Sequence, residues 1–431
     1  MSLNNIIYLT DRMPVTDSNI PSLVMDELRK MGLISKDKHN IHFCGIISFS
    51  EGLAVFLPRN SSKTDNCNFF PAHYLFRAIF KYYNSKDTAF FAEDDGNELI
   101  GGKSLSLATS LIDDYLTNGL YVRRIRLKTT NSGKIFWPDT IARRTAYPSM
   151  RGPAYIDFST TCSRFVADSE TTKIHAFVIR ELYPVYGALW TGEQRIPERS
   201  LSNITLPTGN FQVWISKLRK ELQLSYSERD IFLIRSLLQY LENERGIISS
   251  KVLIGVQKFH SLWEAMLDDC LIGKYQVNNK IPIPVYKTID GVYVPMAQKG
   301  QRTDTVLYNS DKTQAAIIDA KYYDAKNPNT APGWPDLVKQ FFYHNVISYV
   351  VPANTLISNH FIFPGCSKML KAVYVAERDK ELVSNSDCLT EYPPIHCHYQ
   401  EPIELLRLYV AGEKLAELTK EIFRVYSRTT H

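Results

Sequence analysis

Two neighbouring apolar segments that carry acidic residues constrain the fold of this chain more than any other feature. Residues 302–308 (RTDTVLY) and residues 313–321 (TQAAIIDAK) have the length and composition of β-strands, and a short polar turn separates them. Alternate side chains of a strand share a face, so Asp319 and Lys321 project side by side from the end of the second segment. The sequence therefore predicts two adjacent strands, with charges at one end of an apolar strand.

The position of Asp304 depends on how these two strands pair. A two-residue turn at residues 310–311 would place Asp304 opposite Ile317. That pairing puts Asp304 on the strand face that also carries Asp319 and Lys321. Two carboxylates and one ammonium group are therefore predicted to meet on one patch.

This set of charges is suited to the hydrolysis of a phosphodiester. Carboxylate oxygens bind Mg²⁺, and the bound ion polarises a phosphoryl oxygen and lowers the pKa of a bound water. An ammonium group can position the attacking water and offset negative charge as it develops. Each residue alone fits a strand-end cap or a solvated charge, so the prediction depends on Asp304, Asp319 and Lys321 acting together.

A third acidic residue lies on a predicted helix. Residues 259–270 carry apolar side chains at helical spacing, and Glu264 lies on the flank of that stripe. His260, four residues earlier, points in the same direction. Glu264 is a candidate third metal ligand, and the alternative is an ordinary solvated charge at the edge of an amphipathic helix.

These motifs resemble those of known nucleases. The order Glu264, Asp304, Asp319-Ala320-Lys321 is similar to the pattern of the PD-(D/E)XK nuclease superfamily. The segments FHSLWEAML, RTDTVLY, IIDAKYYDA and DLVKQFFYHN resemble the LlaJI family of restriction endonucleases. That family is similar to McrC, the nuclease subunit that works with a McrB-like GTPase.

The resemblance implies a role for each matching residue. The implied catalytic residues are Asp304, Asp319, Lys321, Glu264 and Gln340. The three acids would bind the metal ion, and the lysine would be the catalytic lysine. The chain departs from the superfamily pattern at Thr303, which stands where Pro is usual, and at Tyr343, which follows the glutamine by three residues rather than four.

A turn-rich stretch at residues 201–210 (LSNITLPTGN) predicts a domain boundary. The predicted fold class is α/β. Residues 206–431 would form a PD-(D/E)XK nuclease domain, with a mixed central sheet flanked by helices. Residues 1–205 would form a mixed, β-rich α+β module that, by the resemblance to McrC, contacts a partner GTPase and DNA.

A basic segment lies within that first module. Residues 121–151 contain eight basic residues and one acid, Asp139. Arg124, Arg126 and Lys128 share one face of a predicted strand, which would suit contacts with DNA phosphates. A solvated strand face and a surface for an acidic partner protein are equally compatible with the pattern.

Composition limits the class of protein. The 431 residues carry 50 Lys and Arg against 45 Asp and Glu, so a uniformly basic protein that coats nucleic acid is excluded. We expect no secretory signal, no membrane span and, from seven scattered Cys, no disulfide framework. A cytoplasmic protein is predicted.

The predicted activity is Mg²⁺-dependent hydrolysis of double-stranded DNA in a restriction system. The resemblance implies a McrB-like AAA+ GTPase partner, which alone would bind GTP, and a cognate DNA methyltransferase in the same system. The alternatives are a non-catalytic subunit that recognises DNA or stimulates an NTPase, and a nuclease that acts in repair or on RNA.

Overall fold

The computed structural model describes residues 5–424, apart from residues 18, 36, 38, 50, 67, 88–98, 151, 194–200, 244–252, 296–301 and 380. Within these residues the chain forms 12 α-helices and 17 strands in five sheets, which confirms the predicted α/β class. The strands are β1 Ile6–Thr10, β2 Cys44–Phe49, β3 Gly52–Leu57, β4 Leu99–Ile100, β5 Arg123–Thr130, β6 Lys134–Ile135, β7 Ala146–Tyr147, β8 Ala154–Tyr155, β9 Ser159–Val166, β10 Leu253–Val256, β11 Val285–Lys287, β12 Tyr293–Pro295, β13 Thr305–Tyr308, β14 Gln314–Ala320, β15 Leu356–Pro364, β16 Ala372–Val373 and β17 Ile395–Gln400. The helices are α1 Ser22–Lys30, α2 Phe70–Asp87, α3 Gly102–Asn118, α4 Trp137–Arg143, α5 Glu170–Leu182, α6 Ala188–Thr191, α7 Phe211–Leu224, α8 Glu228–Asn243, α9 Phe259–Cys270, α10 Trp334–Ser348, α11 Pro402–Ala411 and α12 Ala416–Phe423.

The chain divides into two compact units, and the division differs from the boundary predicted at residue 205. One unit comprises Met1–Gly102 and Lys251–His431, and the other comprises Lys103–Ser250. Helices α7 and α8 follow the predicted boundary, yet they pack with α5 inside the second unit. Their apolar faces share a core with that helix, so the turn-rich stretch at residues 201–210 is a loop within a unit. That core includes Leu111, Ile112, Ile174, Ile179, Trp214, Leu218, Leu233 and Leu237.

The first unit contains a five-stranded sheet in the order β1-β3-β2-β10-β4. Strand β10 comes from the returning chain and pairs antiparallel with both β2 and β4. Gly45 of β2 lies opposite Gly255 of β10, and a Cβ atom on Gly45 would lie 2.2 Å from the carbonyl oxygen of Ile254. The two glycines thus allow the returning strand to approach β2 and complete the sheet.

The same unit contains a second, mixed sheet in the order β13-β14-β15-β17-β16. Strands β14, β15 and β17 are parallel, whereas the short outer strands β13 and β16 run antiparallel to their neighbours. Helices α9, α10 and α12 contact β14. Because β14 is nearly all buried, its sequence is an almost continuous apolar run, as expected for an interior strand.

Candidate active site

The hairpin of β13 and β14 brings Asp304 and Asp319 together. Thr305 pairs with Ile318, so the same register places Asp304 opposite Asp319. The predicted pairing of Asp304 with Ile317 is wrong by two positions, a shift that keeps the side chain on the same face.

The cause of this shift is the turn between the strands. The Asn309 N–H donates to the carbonyl oxygen of Gln314 at 3.1 Å, so four residues form the loop rather than two. Lys312 in this loop has φ of 58°, a left-handed conformation that non-glycine residues seldom adopt. The sequence carries no Gly at that position to signal the turn.

The two carboxyl groups interact directly. Asp319 is 3% exposed, and burial followed by the charge of Asp304 raises its pKa to about 7. Burial also raises the pKa of Asp304, and a hydrogen bond from the other carboxyl group opposes that rise. The Ala320 N–H donates to Asp304 Oδ2 at 3.0 Å and fixes this side chain against the end of β14. The pair therefore retains a proton near neutral pH unless a cation balances its charge.

Lys321 lies between two carboxylates. Its Nζ is 3.0 Å from Asp319 Oδ2 and 2.7 Å from Asp336 Oδ1. Burial opposes the charged form of this amine, but the charges of Asp319 and Asp336 outweigh burial and raise its pKa. Lys321 is therefore a fixed ammonium group next to the acidic pair.

Asp336 is a site residue that the sequence reasoning missed. It lies in the first turn of α10, where a carboxylate is favoured by the helix dipole. The Tyr323 hydroxyl donates to Asp336 Oδ2 at 3.1 Å, while Oδ1 accepts from Lys321. The Gly-Trp-Pro-Asp sequence signals the start of a helix, but only the tertiary fold shows that this start faces Lys321.

Gln340 and Tyr343 of α10 support the strand rather than the acidic pair. Gln340 is fully buried, and its Nε2 donates to the carbonyl oxygen of Ile317 at 3.1 Å. The Tyr343 hydroxyl donates to the carbonyl oxygen of Arg302, next to β13. Both contacts fix the backbone of the hairpin that carries the two carboxylates.

Glu264 and His260 lie on α9 and line a cleft of about 340 Å³ that also contains Lys321. Glu264 is close enough to Asp304 for its charge to raise the pKa of that carboxyl group. Among the described residues, however, no three His, Cys, Asp or Glu side chains converge on one metal position. The structure thus joins Asp304 and Asp319 as a pair and places Glu264 in the adjoining cleft.

The acidic pair suits a divalent cation. Asp319 Oδ2 is buried, and within the described residues it faces the Lys321 ammonium group at 3.0 Å without normal hydrogen-bond geometry. Coordination of a hard cation would give this oxygen a further partner. The donor set of two carboxylates fits Mg²⁺, which retains several water ligands when it binds to proteins.

The predicted basic face exists in the second unit. Arg124, Arg126 and Lys128 alternate along β5, and all three are exposed. Lys128 lies opposite Thr161, which also pairs with Lys134 of β6, so Lys134 joins the same face. The one acidic residue of the segment, Asp139, lies 3.5 Å from Lys128 Nζ. The face therefore carries four cations and one nearby carboxylate.

No described helix is both long and apolar enough to cross a membrane.

Comparisons with known proteins give a family and two distant structural likenesses. None of the curated proteins matches this sequence. One solved structure is a half-complex from a tetradecameric assembly of Thermococcus gammatolerans McrB AAA+ hexamers with bound McrC, with 12% identity, a TM-score of 0.39 and coverage of 94% of this chain and 99% of that chain. Another is a cryo-EM structure of the Thermococcus gammatolerans McrBC complex, with 11% identity, a TM-score of 0.28 and coverage of 63% and 89%. The family model of the LlaJI restriction endonuclease matches residues 43–376, a range that includes Glu264, the β13–β14 hairpin and Asp336.

Proposed function

Because the chain belongs to the LlaJI restriction endonuclease family, we propose that it hydrolyses DNA phosphodiester bonds as the metal-dependent nuclease subunit of a restriction system. One observation carries this proposal: Asp304 and Asp319 meet at the end of β14 with Lys321 Nζ 3.0 Å from the second carboxylate. This is the arrangement that the PD-(D/E)XK resemblance requires of the hairpin. Acidic residues brought together in this way favour the binding of a cation.

In this proposal Asp304 and Asp319 would hold Mg²⁺. When bound, the ion supplies a Lewis acid for the phosphoryl oxygen and a water of lowered pKa. Lys321 orients the attacking water and offsets the charge that develops on phosphorus-bound oxygens. Asp336 holds Lys321 in place by its 2.7 Å contact, and Gln340 fixes the backbone of β14. The role of Glu264 as a further ligand stays a prediction.

The proposal extends to partners. The sequence resemblance to McrC supports a McrB-like AAA+ GTPase as the partner that binds GTP. Membership of a restriction endonuclease family supports a cognate DNA methyltransferase in the same system. The basic face of Arg124, Arg126 and Lys128 supports contacts with the DNA backbone by the second unit. The proposed place of action is the cytoplasm.

Cleavage assays with purified variants test the activity. We expect Asp319→Ala to abolish Mg²⁺-dependent cutting of plasmid DNA, because half of the acidic pair is lost. We expect Lys321→Ala to slow cutting by about 100- to 1,000-fold, the usual cost of removing a group that stabilises charge in the transition state. The assay is run with and without GTP and a McrB-like AAA+ protein.

Two matched variants serve as controls. Asp290→Ala and Lys30→Ala remove an exposed acid and an exposed amine outside the β13–β14 hairpin, and both should cut like the wild type. Full cutting by Asp319→Ala or Lys321→Ala would refute the proposal. A wild-type protein that binds DNA and stimulates the GTPase, but does not cut under any of these conditions, would instead indicate a non-catalytic subunit.

A further inference from the structure

The cleft beside the acidic pair is lined by two arginines from the N-terminal part of the first unit. Arg12 follows β1, and Arg59 follows β3, so both come from the sheet that precedes the nuclease segments in the chain. They share the cleft of about 340 Å³ with His260, Glu264, Lys321 and Tyr323. The nuclease segments alone therefore do not form the whole wall of the cleft.

Arg59 is fixed by the loop that follows β3. Its N–H donates to the Tyr322 hydroxyl at 2.7 Å, and Tyr322 is the residue directly after Lys321. In the next position Asn60 Nδ2 donates to the carbonyl oxygen of Pro364 at 3.2 Å. The loop is thus attached to the residue that follows Lys321 and to the last residue of β15, and these contacts hold the Arg59 backbone near Lys321.

Arg12 is held in an unusual backbone conformation. Its φ is 70°, in the left-handed region, which is costly for a residue with a long side chain. Its Nη1 lies 3.0 Å from His42 Nε2, and its Nε lies 3.7 Å from Asp11 Oδ2. Strained residues of this kind concentrate at binding and catalytic sites.

Both guanidinium groups retain unused hydrogen-bonding capacity. The Nε atoms of Arg12 and Arg59 are buried and have no hydrogen-bond partner among the described residues. The Arg59 side chain donates a single long hydrogen bond within that part of the chain, from Nη1 to the carbonyl oxygen of Tyr322 at 3.4 Å. A guanidinium group has five N–H donors, and both arginines are partly exposed, so their remaining Nη donors are available to an anionic ligand in the cleft.

The charges of the cleft favour such a ligand. Arg12, Arg59 and Lys321 line the cleft with one carboxylate, Glu264, and Lys321 is also paired with Asp319 and Asp336. Asp11 Oδ2 lies 3.7 Å from Arg12 Nε and offsets part of its charge, whereas no carboxylate of the described residues lies within ion-pair distance of Arg59.

We propose that Arg12 and Arg59 bind a phosphate of the DNA backbone next to the phosphodiester that is cut. The inference rests on the proposed function, because Lys321 belongs both to the cleft and to the acidic pair. In this proposal, a strand whose scissile phosphate lies at the acidic pair would place a neighbouring phosphate in the cleft that Lys321 also lines. Two planar guanidinium groups suit the bidentate recognition of phosphate oxygens. Arg12 and Arg59 are thus positioning residues that orient the strand.

Binding without cleavage tests this inference. The affinity of the full chain for a 30-base-pair duplex is measured by fluorescence anisotropy in EDTA, over a range of salt concentrations. We expect Arg59→Gln to bind the duplex about tenfold more weakly, and Arg12→Gln to weaken it by a similar factor. The slope of log affinity against log salt should become shallower by about 0.9 in the double variant, the value for one lost phosphate contact.

Three further proteins complete the experiment. Arg29→Gln removes an exposed arginine of α1 and should match the wild type in affinity and slope. The double variant Arg12→Lys and Arg59→Lys retains both charges, so its slope should stay at the wild-type value. Lys321→Ala, whose cutting tests the proposed function, separates the two claims, since cleavage should slow while Arg12 and Arg59 still bind the backbone.

Equal affinity and slope in the glutamine variants and in Arg29→Gln would overturn the inference. So would a wild-type protein that fails to bind the duplex at low salt. Thermal unfolding identifies a variant that does not fold. If Arg12→Gln does not fold, the affinity and salt slope of Arg59→Gln decide the test, because the hydrogen bond from position 59 to Tyr322 uses the backbone N–H and survives the substitution.

Discussion

At the scale of single residues, the acidic pair depends on where each charge is placed. Asp319 is buried at the end of an apolar strand, and Asp304 reaches it from the neighbouring strand. Burial and mutual repulsion make ionisation of both groups unfavourable, which is why the pKa of Asp319 rises to about 7. The same arrangement becomes favourable once a divalent cation balances the charge.

Metal affinity should therefore depend on pH around neutrality. A cation competes with the proton on the pair, so affinity should be constant above pH 7 and fall by up to about tenfold for each pH unit below it. Calorimetric titration with Mg²⁺ or Mn²⁺ at pH 6, 7 and 8 measures this change, and buffers of different ionisation enthalpy count the released proton. Affinity that stays constant from pH 6 to 8 would show that the pair is already ionised.

At the scale of elements, one helix terminus and one hairpin hold the site together. The β13–β14 hairpin carries both carboxylates, and the first turn of α10 supplies Asp336 to Lys321. Further along the same helix, Gln340 donates to the backbone of β14. Helix α10 thus fixes both the lysine and the strand that carries it.

We expect Asp336→Asn to reduce kcat by about 10- to 100-fold with little change in KM for DNA. The amide keeps the shape of the side chain but loses the charge that orients Lys321, a cost typical of residues that support a metal site. The pKa of the lysine should fall, and activity at high pH should decline earlier than in the wild type. Asp311→Asn, in the exposed hairpin turn, is the matched control. An unchanged kcat and pH profile would exclude this role of Asp336.

At the scale of the whole molecule, each unit contains histidines that are buried in the neutral form. In the first unit, His360 Nδ1 lies 2.9 Å from His398 Nε2. In the second, the Tyr121 N–H donates to His175 Nδ1 at 3.1 Å, which requires a neutral ring. Burial lowers the pKa of His175 to about 4, despite the opposing charge of Asp114. Such a ring stays neutral in the folded state at pH values where the unfolded chain binds a proton.

Acid should therefore destabilise the second unit through His175. The pKa of His175 is lower in the folded state than the unfolded value of about 6.5. The full stability of the folded state is therefore present above pH 6.5, and stability is lost as the pH falls towards 4 and the unfolded chain binds a proton at this residue. The free energy of unfolding should fall by up to about 1.4 kcal/mol per pH unit from this group. Urea unfolding between pH 7.5 and 4.5 measures the free energy of unfolding of the wild type and of His175→Gln. Asp319 has the opposite dependence on pH, but it is present in both proteins, so its effect cancels in their difference. A difference between the two proteins that does not vary with pH would contradict the prediction.

The sequence by itself determined the local elements and the chemistry of the hairpin. The apolar run that ends in Asp-Ala-Lys predicted β14 and placed Asp319 beside Lys321, because alternation in a strand is a local property. The helical stripe predicted α9 at residues 259–270, as the structure has it.

Only the tertiary structure decided what meets these elements. A four-residue loop set the register that pairs Asp304 with Asp319, and packing directed the start of α10 towards Lys321. The compact units also follow shared cores, so helices α7 and α8 join the second unit although a turn-rich segment precedes them. The periodicity of apolar residues predicts which face of a helix or strand is buried. The element that packs on that face comes from a distant part of the chain, so no local sequence pattern predicts it.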